Sequence, residues 1–147
     1  MARGLLLMWV MNQSPTIRDF MHSPVYTIGE QQNLSEAAKR MREHSCRHLP
    51  VLDGGIVRGI LSDRDIDLVA GLPGASVSDV TVADAMVTDP YAVDGRTPLA
   101  QAMREMANHK YGAALVMEDR RVVGIFTTVD ALAAFATMLE GQGSAAS

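Results

Sequence analysis

The sequence contains an internal repeat, and this repeat limits the possible folds more than any other feature. Residues 16–70 align with residues 81–135 at a constant shift of 65 positions, without a gap, and 13 of the 55 aligned positions are identical. Average residue usage would give roughly four identities by chance. One copy of this length buries too little surface to be stable alone. We therefore expect two copies that share a core around an approximate two-fold axis, with two related clefts where they meet.

Each copy contains the signature of an amphipathic helix. Apolar residues recur at helical spacing over residues 34–41 and again over residues 99–106. Asn33 precedes the first stripe and predicts an N-cap. Before the second stripe, Thr97 predicts the N-cap and Pro98 the first helical residue.

Two extended runs around a turn follow each predicted helix, which indicates a β-hairpin. The strands are expected at residues 48–52 and 56–61 in the first copy, and at residues 113–117 and 121–126 in the second. A further helix is expected after each hairpin, from Ser62 towards Ala70 and from Thr127 towards Leu139.

The same pattern divides the chain into segments. We expect an N-terminal apolar arm at 1–13, a first repeat at 14–72, a linker at 73–79, a second repeat at 80–139 and a flexible tail at 140–147. The arm has seven consecutive apolar residues after Gly4. A membrane span needs about 20, and no secretory cleavage site follows the run. The arm is therefore expected to pack on the domain or on a partner, although Met11 is an alternative start of the chain.

Composition excludes several classes of function. The net charge is −4 and no block of Lys or Arg is present, so neither nucleic acid nor a membrane is an expected partner. The single cysteine, Cys46, excludes an internal disulfide and indicates a reducing, cytoplasmic compartment. His22, His44 and His109 show no metal-ligand spacing with one another or with Cys46, so no metal site is expected. No known catalytic motif occurs, and we expect a protein that is not an enzyme.

One heptad recurs at the predicted strand-to-helix junction of both copies. Residues 59–65 read GILSDRD, and residues 124–130 read GIFTTVD. The hydroxyl and the acid three residues later form a capping box, which stabilises a helix start by about 1 kcal/mol without any ligand. A helix N-terminus with a hydroxyl also suits a phosphate, and the acid can accept hydrogen bonds from ribose hydroxyls. The glycine at the start of each heptad predicts a close backbone approach. Capping alone stays the alternative.

Taken together, these pieces resemble the cystathionine beta-synthase (CBS) domain pair, or Bateman module, over about residues 14–137. The resemblance rests on the motifs TIRDFM at 16–21, TVADAM at 81–86 and RHLPVLD at 47–53, and on the two heptads. The resemblance implies an α+β fold with two pseudo-symmetric βαββα-type repeats that form one compact module. It also implies a homodimer that binds AMP, ADP, ATP or S-adenosylmethionine, with no required cofactor, and that regulates an effector protein.

The resemblance further implies roles for individual residues. Asp65 and Asp130 would hold ribose hydroxyls, and Ser62 and Thr127 would contact the phosphate. The expected basic phosphate contacts of the first copy are Arg47, His48 and Arg64. Adenine would be sandwiched near Ile17, Pro24, Val25 and Pro50 in one cleft, and near Val82, Pro90 and Leu115 in the other.

The two copies differ in their basic residues. Gly112, Ala113 and Val129 occupy the second-copy positions of Arg47, His48 and Arg64, and Thr128 adds a hydroxyl. We therefore expect one better phosphate site and one that is weaker or empty. A dimerisation scaffold whose degenerate clefts bind no ligand is the alternative function.

Overall fold

Each repeat supplies strands and helices in the order βαββα, which confirms the predicted α+β class. The computed structural model describes residues 14–146, with side chains as far as residue 141, so the predicted arm at residues 1–13 lies outside it. The first repeat contains β1 (Ile28–Gly29), α1 (Leu34–His44), β2 (His48–Asp53), β3 (Ile56–Ser62) and α2 (Asp63–Ala70). The second contains α3 (Val82–Ala85), β4 (Ala92–Asp94), α4 (Leu99–His109), β5 (Ala113–Glu118), β6 (Arg121–Thr127) and α5 (Thr128–Ala146). A short 3-10 helix (Ile17–Asp19) begins the first repeat, as α3 begins the second.

Each repeat forms one small sheet around its hairpin. The strand orders are β1-β2-β3 and β4-β5-β6. The first strand of each sheet runs parallel to the second, with Ile28 opposite Val51 and Val93 opposite Val116. The predicted hairpin of β2 and β3 is antiparallel, and its register places His48 opposite Ser62. The end of the hairpin therefore lies directly at the start of α2.

Local capping signals explain where most helices begin. Asn33 caps α1 by accepting a hydrogen bond from the Glu36 backbone N–H at 2.9 Å, as the sequence predicts. The prediction for α4 is wrong by one residue, because Pro98 is the N-cap and the helix begins at Leu99. Pro98 has extended backbone angles (φ −55°, ψ 133°), and the preceding carbonyl of Thr97 accepts a hydrogen bond from elsewhere in the chain.

The last helix runs past its predicted end. The glycines after Leu139 indicate a tail, yet α5 continues to Ala146. A glycine in a helix costs only about 1 kcal/mol relative to alanine, so it weakens a helix without necessarily ending it.

The chain divides into two compact units whose boundaries differ from those of the repeats. The first-repeat unit comprises Pro24–Pro90 with Asp119–Val123. The second-repeat unit comprises the described residues up to Ser23, together with Tyr91–Glu118 and the residues from Gly124 onward. Residues at the start of the first repeat therefore belong to the unit that is built on the sheet of the second repeat.

Equivalent hydrogen bonds attach the start of each repeat to the residues at the helix start of the other repeat. The Ile17 backbone N–H donates to the Thr97 carbonyl at 2.9 Å, and the Val82 N–H donates to the Gln32 carbonyl at 2.7 Å. These four residues correspond at the 65-residue shift, so the exchange is reciprocal. Two further equivalent bonds join Leu99 N–H to the Pro15 carbonyl at 2.8 Å and Leu34 N–H to the Val80 carbonyl at 3.0 Å.

The exchanged segments contribute directly to the hydrophobic cores. Val82 is completely buried in the core of the first-repeat unit, and Ile17, its equivalent, is completely buried in the second-repeat unit. The core partners of Val82 are Ile28, Leu34, Ala37, Met41, Leu49, Val51, Leu61 and Ile66. Each unit is thus completed by an apolar side chain from the other repeat.

Candidate functional site

In the first-repeat unit, the heptad glycine lies beneath another segment of the chain. Ile60 and Val87 exchange backbone hydrogen bonds of 3.0 and 2.9 Å next to Gly59. A Cβ at Gly59 would overlap the Val87 carbonyl oxygen and would lie 2.9 Å from the Met86 sulfur. The close approach that the glycine predicts is therefore made by the protein itself, and the glycine alone no longer argues for a ligand.

The second-repeat unit repeats this arrangement. His22 and Ile125 exchange backbone hydrogen bonds of 2.8 and 3.1 Å next to Gly124. A Cβ at Gly124 would overlap the Met21 side chain and would lie 3.1 Å from the His22 carbonyl oxygen. Both glycines of the heptads thus have the same structural function.

The hydroxyl and the carboxylate of each heptad form the predicted capping box. The Ser62 N–H donates to Asp65 Oδ2 at 2.8 Å, and the Asp65 N–H donates to Ser62 Oγ at 3.2 Å. In the other unit, the Thr127 N–H donates to Asp130 Oδ2 at 2.7 Å, and the Asp130 N–H donates to Thr127 Oγ1 at 3.3 Å. Each cap holds the carboxylate in a fixed orientation through Oδ2, and Oδ1 takes no part in it.

The two carboxylates differ in what contacts Oδ1. His22 Nε2 forms an ion pair with Asp130 Oδ1 when the imidazole is protonated, and the Asp130 side chain is only 9% exposed. Val87 occupies the equivalent position in the first-repeat unit, and its side chain cannot donate a hydrogen bond to Asp65. The sequence spacing of His22 bears only on a metal site and does not predict this pairing. Its alignment with Val87, directly after the identical Met21 and Met86, was the available signal.

The backbones of the three predicted basic residues lie near the start of α2. The Asp63 N–H donates to the Arg47 carbonyl at 2.9 Å, and His48 lies opposite Ser62 in the sheet. Arg64 is exposed in the first turn of the helix. The structure therefore brings the three predicted basic residues to the same end of the hairpin as the capping box.

The equivalent place in the second-repeat unit has the same backbone geometry without the cations. The Thr128 N–H donates to the Gly112 carbonyl at 3.1 Å, which matches the bond between Asp63 and Arg47. Thr128 and Val129 are both exposed at the start of α5. A phosphate at this helix start would meet a hydroxyl but none of the three basic side chains of the first copy.

The predicted adenine contacts divide by burial. Four of them are fully buried and belong to the hydrophobic cores: Ile17, Pro50, Val82 and Leu115. Three have exposed surface: Pro24, which is exposed, and Val25 and Pro90, which are partly buried. In this conformation, only the second group has surface to offer an adenine ring.

A groove of about 380 Å³ lies between α1 and α2 of the first-repeat unit. Arg47 is the one predicted site residue among its lining residues, which include Cys46, Asp63 and Ile66. Burial raises the pKa of the Cys46 thiol. Ser62 and Asp65 do not line this groove. The groove is therefore a feature separate from the capping box, joined to it through Arg47 and Asp63.

The sequence matches the CBS domain over residues 17–69 and 77–137. The chain belongs to the CBS domain family. Over 116 residues it is 32% identical to hypoxic response protein 1 of Mycobacterium tuberculosis, covering 78% of this chain and 81% of that protein. Over 130 residues it is 30% identical to the CBS domain-containing protein YhcV of Bacillus subtilis, covering 88% of this chain and 91% of YhcV.

Solved structures of CBS domain pairs share the fold. The CBS domain pair of protein MJ0100, in complex with 5′-methylthioadenosine and S-adenosyl-L-methionine, has a TM-score of 0.77 and 25% identity, covering 84% of this chain and 98% of that one. Hypoxic Response Protein I with two coordinated zinc ions has a TM-score of 0.69 and 30% identity, covering 80% and 97%.

Within the part of the chain that the structure describes, no three His, Cys, Asp or Glu side chains group together as metal ligands would. None of the described helices combines the length and apolar character of a membrane span.

Proposed function

We propose that this CBS domain pair is a regulatory module that binds an adenine nucleotide or a related adenosyl compound at its heptads. AMP, ADP, ATP and S-adenosylmethionine are the candidate ligands. The observation that carries the proposal is the start of α2, where a carboxylate is fixed by its cap and three basic residues lie at the same end of the hairpin. The complexes of the MJ0100 domain pair with two adenosyl compounds support this ligand class.

The chemistry of the start of α2 suits a sugar-phosphate. Asp65 Oδ1 would accept hydrogen bonds from the ribose hydroxyls, while Oδ2 stays in the cap. The helix N-terminus and Ser62 would contact the phosphate, and Arg47 or Arg64 would neutralise its charge. A carboxylate held by its own helix needs little reorganisation on binding, which favours affinity.

We propose that the second site is weaker. His22 must leave Asp130 before a ribose can take its place, and the basic side chains of the first site are absent there. His22→Ala is therefore expected to strengthen nucleotide binding at the second site by up to about fivefold. This factor corresponds to the free energy that a partly exposed ion pair contributes. Val87→Ala is the matched control at the equivalent position, and it should leave nucleotide affinity unchanged.

Isothermal titration with each adenosine compound tests the ribose contact. Hydrogen bonds to a charged group contribute about 1.5–3 kcal/mol, so Asp65→Ala should weaken binding at least about tenfold. Asp19→Ala is the matched control, because Asp19 forms the same kind of cap with the Thr16 N–H at 2.9 Å outside the heptads. Unchanged affinity in both Asp65→Ala and Asp130→Ala would reject the ribose function.

A scaffold that binds no ligand is the second candidate. It is favoured by the finding that both the capping boxes and the heptad glycines have structural functions without a ligand. A ligand at 100 times its dissociation constant adds about 2.7 kcal/mol of stability. Absence of any thermal shift with AMP, ADP, ATP and S-adenosylmethionine would decide for the scaffold.

We further propose that the module acts as a homodimer and transmits ligand binding to an effector protein. We propose no catalytic function, because the hydroxyl and the carboxylate of each heptad are both engaged in its helix cap. The single cysteine and the absence of a disulfide are consistent with a reducing, cytoplasmic location. Changes in the dissociation constant of the dimer on addition of nucleotide would measure the proposed transmission.

A further inference from the structure

His22 contacts the one oxygen of the Asp130 carboxylate that the helix cap does not use. Asp130 Oδ2 accepts the hydrogen bonds of the cap, and His22 Nε2 pairs with Oδ1. The Asp130 side chain is 9% exposed, whereas the His22 side chain is 71% exposed. Because most of the imidazole already lies in water, the ring can turn away from Oδ1 while the carboxylate stays fixed by its helix.

The backbone keeps His22 beside the second heptad. Its N–H donates to the Ile125 carbonyl at 2.8 Å, and its carbonyl accepts from the Ile125 N–H at 3.1 Å. Val87 exchanges the same two bonds with Ile60 beside the first heptad. The two positions therefore match in the backbone and differ in the side chain, so the contact with the carboxylate arises from the histidine and not from the fold.

Asp130 is the ionised partner of His22. It makes the one ion pair of His22 within the described residues. The 3-10 helix before His22, together with β6 and α5, carries four other charged residues: Arg18, Asp19, Arg121 and Glu140. The first two are engaged in an ion pair and a cap of their own. The third lies four residues from the bridge along β6 and the fourth ten residues from Asp130 along α5, which are distances of about 13 and 15 Å.

We propose that protonation of His22 closes the second site to a ribose, so that binding at this site releases a proton. The inference rests on the proposed function and adds a regulation of one of its two sites. Histidine is the side chain that ordinarily changes its charge between pH 5 and 8. Charged His22 holds Oδ1 by an ion pair that a ribose hydroxyl must displace, whereas neutral His22 lacks that attraction. Affinity at the second site should therefore fall as the pH falls.

The expected size of the effect follows from the exposure of the imidazole. A partly exposed ion pair changes affinity by up to about fivefold, so second-site binding should be up to about fivefold weaker at pH 5.5 than at pH 8. By linkage, the same factor corresponds to the release of up to about 0.4 proton per ligand at intermediate pH. The first site should show no such change with a ligand that lacks a phosphate, because Val87 does not titrate.

Isothermal titration with 5′-methylthioadenosine isolates the second site. This compound has no phosphate, so neither its own charge nor a phosphate contact of His48 changes over the pH range. Asp65→Ala retains the second site, and its affinity should fall between pH 8 and pH 5.5. The double variant with His22→Ala should bind equally at both pH values, and as tightly as Asp65→Ala at pH 8. A pH dependence that survives the loss of His22, or no dependence in Asp65→Ala, would overturn the proposal.

The first site provides the matched control. Asp130→Ala retains this site, whose affinity should be the same at both pH values. Val87→His in that background should introduce the pH dependence, because Val87 makes the bridge to β3 that His22 makes to β6. A first site that stays insensitive to pH in this variant would contradict the control of Oδ1 from the bridging position.

AMP is the second ligand for the same comparison. Its phosphate also titrates, so the difference in affinity between the parent and the His22→Ala protein is compared at the two pH values. This difference should be larger at pH 5.5. If the parent protein binds neither AMP nor 5′-methylthioadenosine, the proposed function fails and this inference with it. If the protein binds them and His22→Ala changes nothing, only this inference fails.

Discussion

Replacement of Gly59 by alanine tests the contact between the heptad and the chain segment that crosses it. The new methyl group would overlap the Val87 carbonyl oxygen, and a backbone atom cannot move aside as the end of a side chain can. The segment must therefore shift away from β3. The two hydrogen bonds between Ile60 and Val87, at 3.0 and 2.9 Å, would then be lost or weakened.

The expected cost follows from these two bonds. Each contributes about 0.5–1.5 kcal/mol net, and the gain from a stiffer unfolded chain offsets about 0.4–1 kcal/mol. Gly59→Ala should therefore lower the free energy of unfolding by about 1.3 kcal/mol. For a chain of this size, that corresponds to a decrease in Tm of about 5 °C.

Gly124→Ala should be less costly, at about 1 kcal/mol, because the atoms in its way belong mainly to the flexible Met21 side chain. Gly29→Ala is the control. Its methyl group would lie 3.8 Å from Gln32 Cγ, an ordinary contact, so stability should change by less than about 0.5 kcal/mol.

Urea denaturation followed by circular dichroism measures all three variants. The predicted order of destabilisation is Gly59→Ala, then Gly124→Ala, then Gly29→Ala. A Gly59→Ala protein as stable as the Gly29→Ala control would refute the close contact of Val87 with β3. A cost for Gly124→Ala above that of Gly59→Ala would refute the distinction between a rigid and a flexible obstacle.

Two further predictions concern single titratable groups. Because burial raises the pKa of the Cys46 thiol, iodoacetamide at pH 8 should alkylate Cys46 more slowly in the native protein than in urea; equal rates would contradict this. Hydrogen bonds from the Arg96 side chain, and then from its backbone, lower the pKa of Asp94. The resulting stabilisation is present above the ordinary carboxyl pKa and is lost as the pH falls through the lowered value. Arg96→Gln should raise the pKa of Asp94 in an NMR titration, and an unchanged pKa would show that the side chain has no such effect.

Local features of the fold could be predicted from the sequence because their signals lie within a few residues. Asn33 at the start of α1 and the hydroxyl–acid pairs of both heptads were read correctly from spacing alone. The start of α4 was misplaced because a distant residue, Ile17, hydrogen-bonds to the carbonyl of Thr97. A helix cap whose donor and acceptor lie within one helical turn can be predicted from the sequence. A hydrogen bond between residues 80 positions apart cannot.

The exchange of segments between the repeats was not predicted, for a similar reason. Its contacts with β3 and β6 are isolated bridges, Ile60 with Val87 and His22 with Ile125, and a single bridge leaves no periodic pattern. Within the candidate site, the heptads and the unequal basic residues were visible in the sequence. The pairing of His22 with Asp130 was not, because it depends on that same exchange.

The reciprocal exchange has a consequence for how the chain can be divided. A cut in the predicted linker, residues 73–79, would leave each core without the apolar side chain that the other repeat supplies and each outer strand without its bridging segment. Two such fragments, produced separately and then mixed, are expected to associate and restore the native protein. Either fragment alone should aggregate or self-associate. Fusion of the two repeats in a single chain thus keeps together two segments, each of which completes the hydrophobic core of the other.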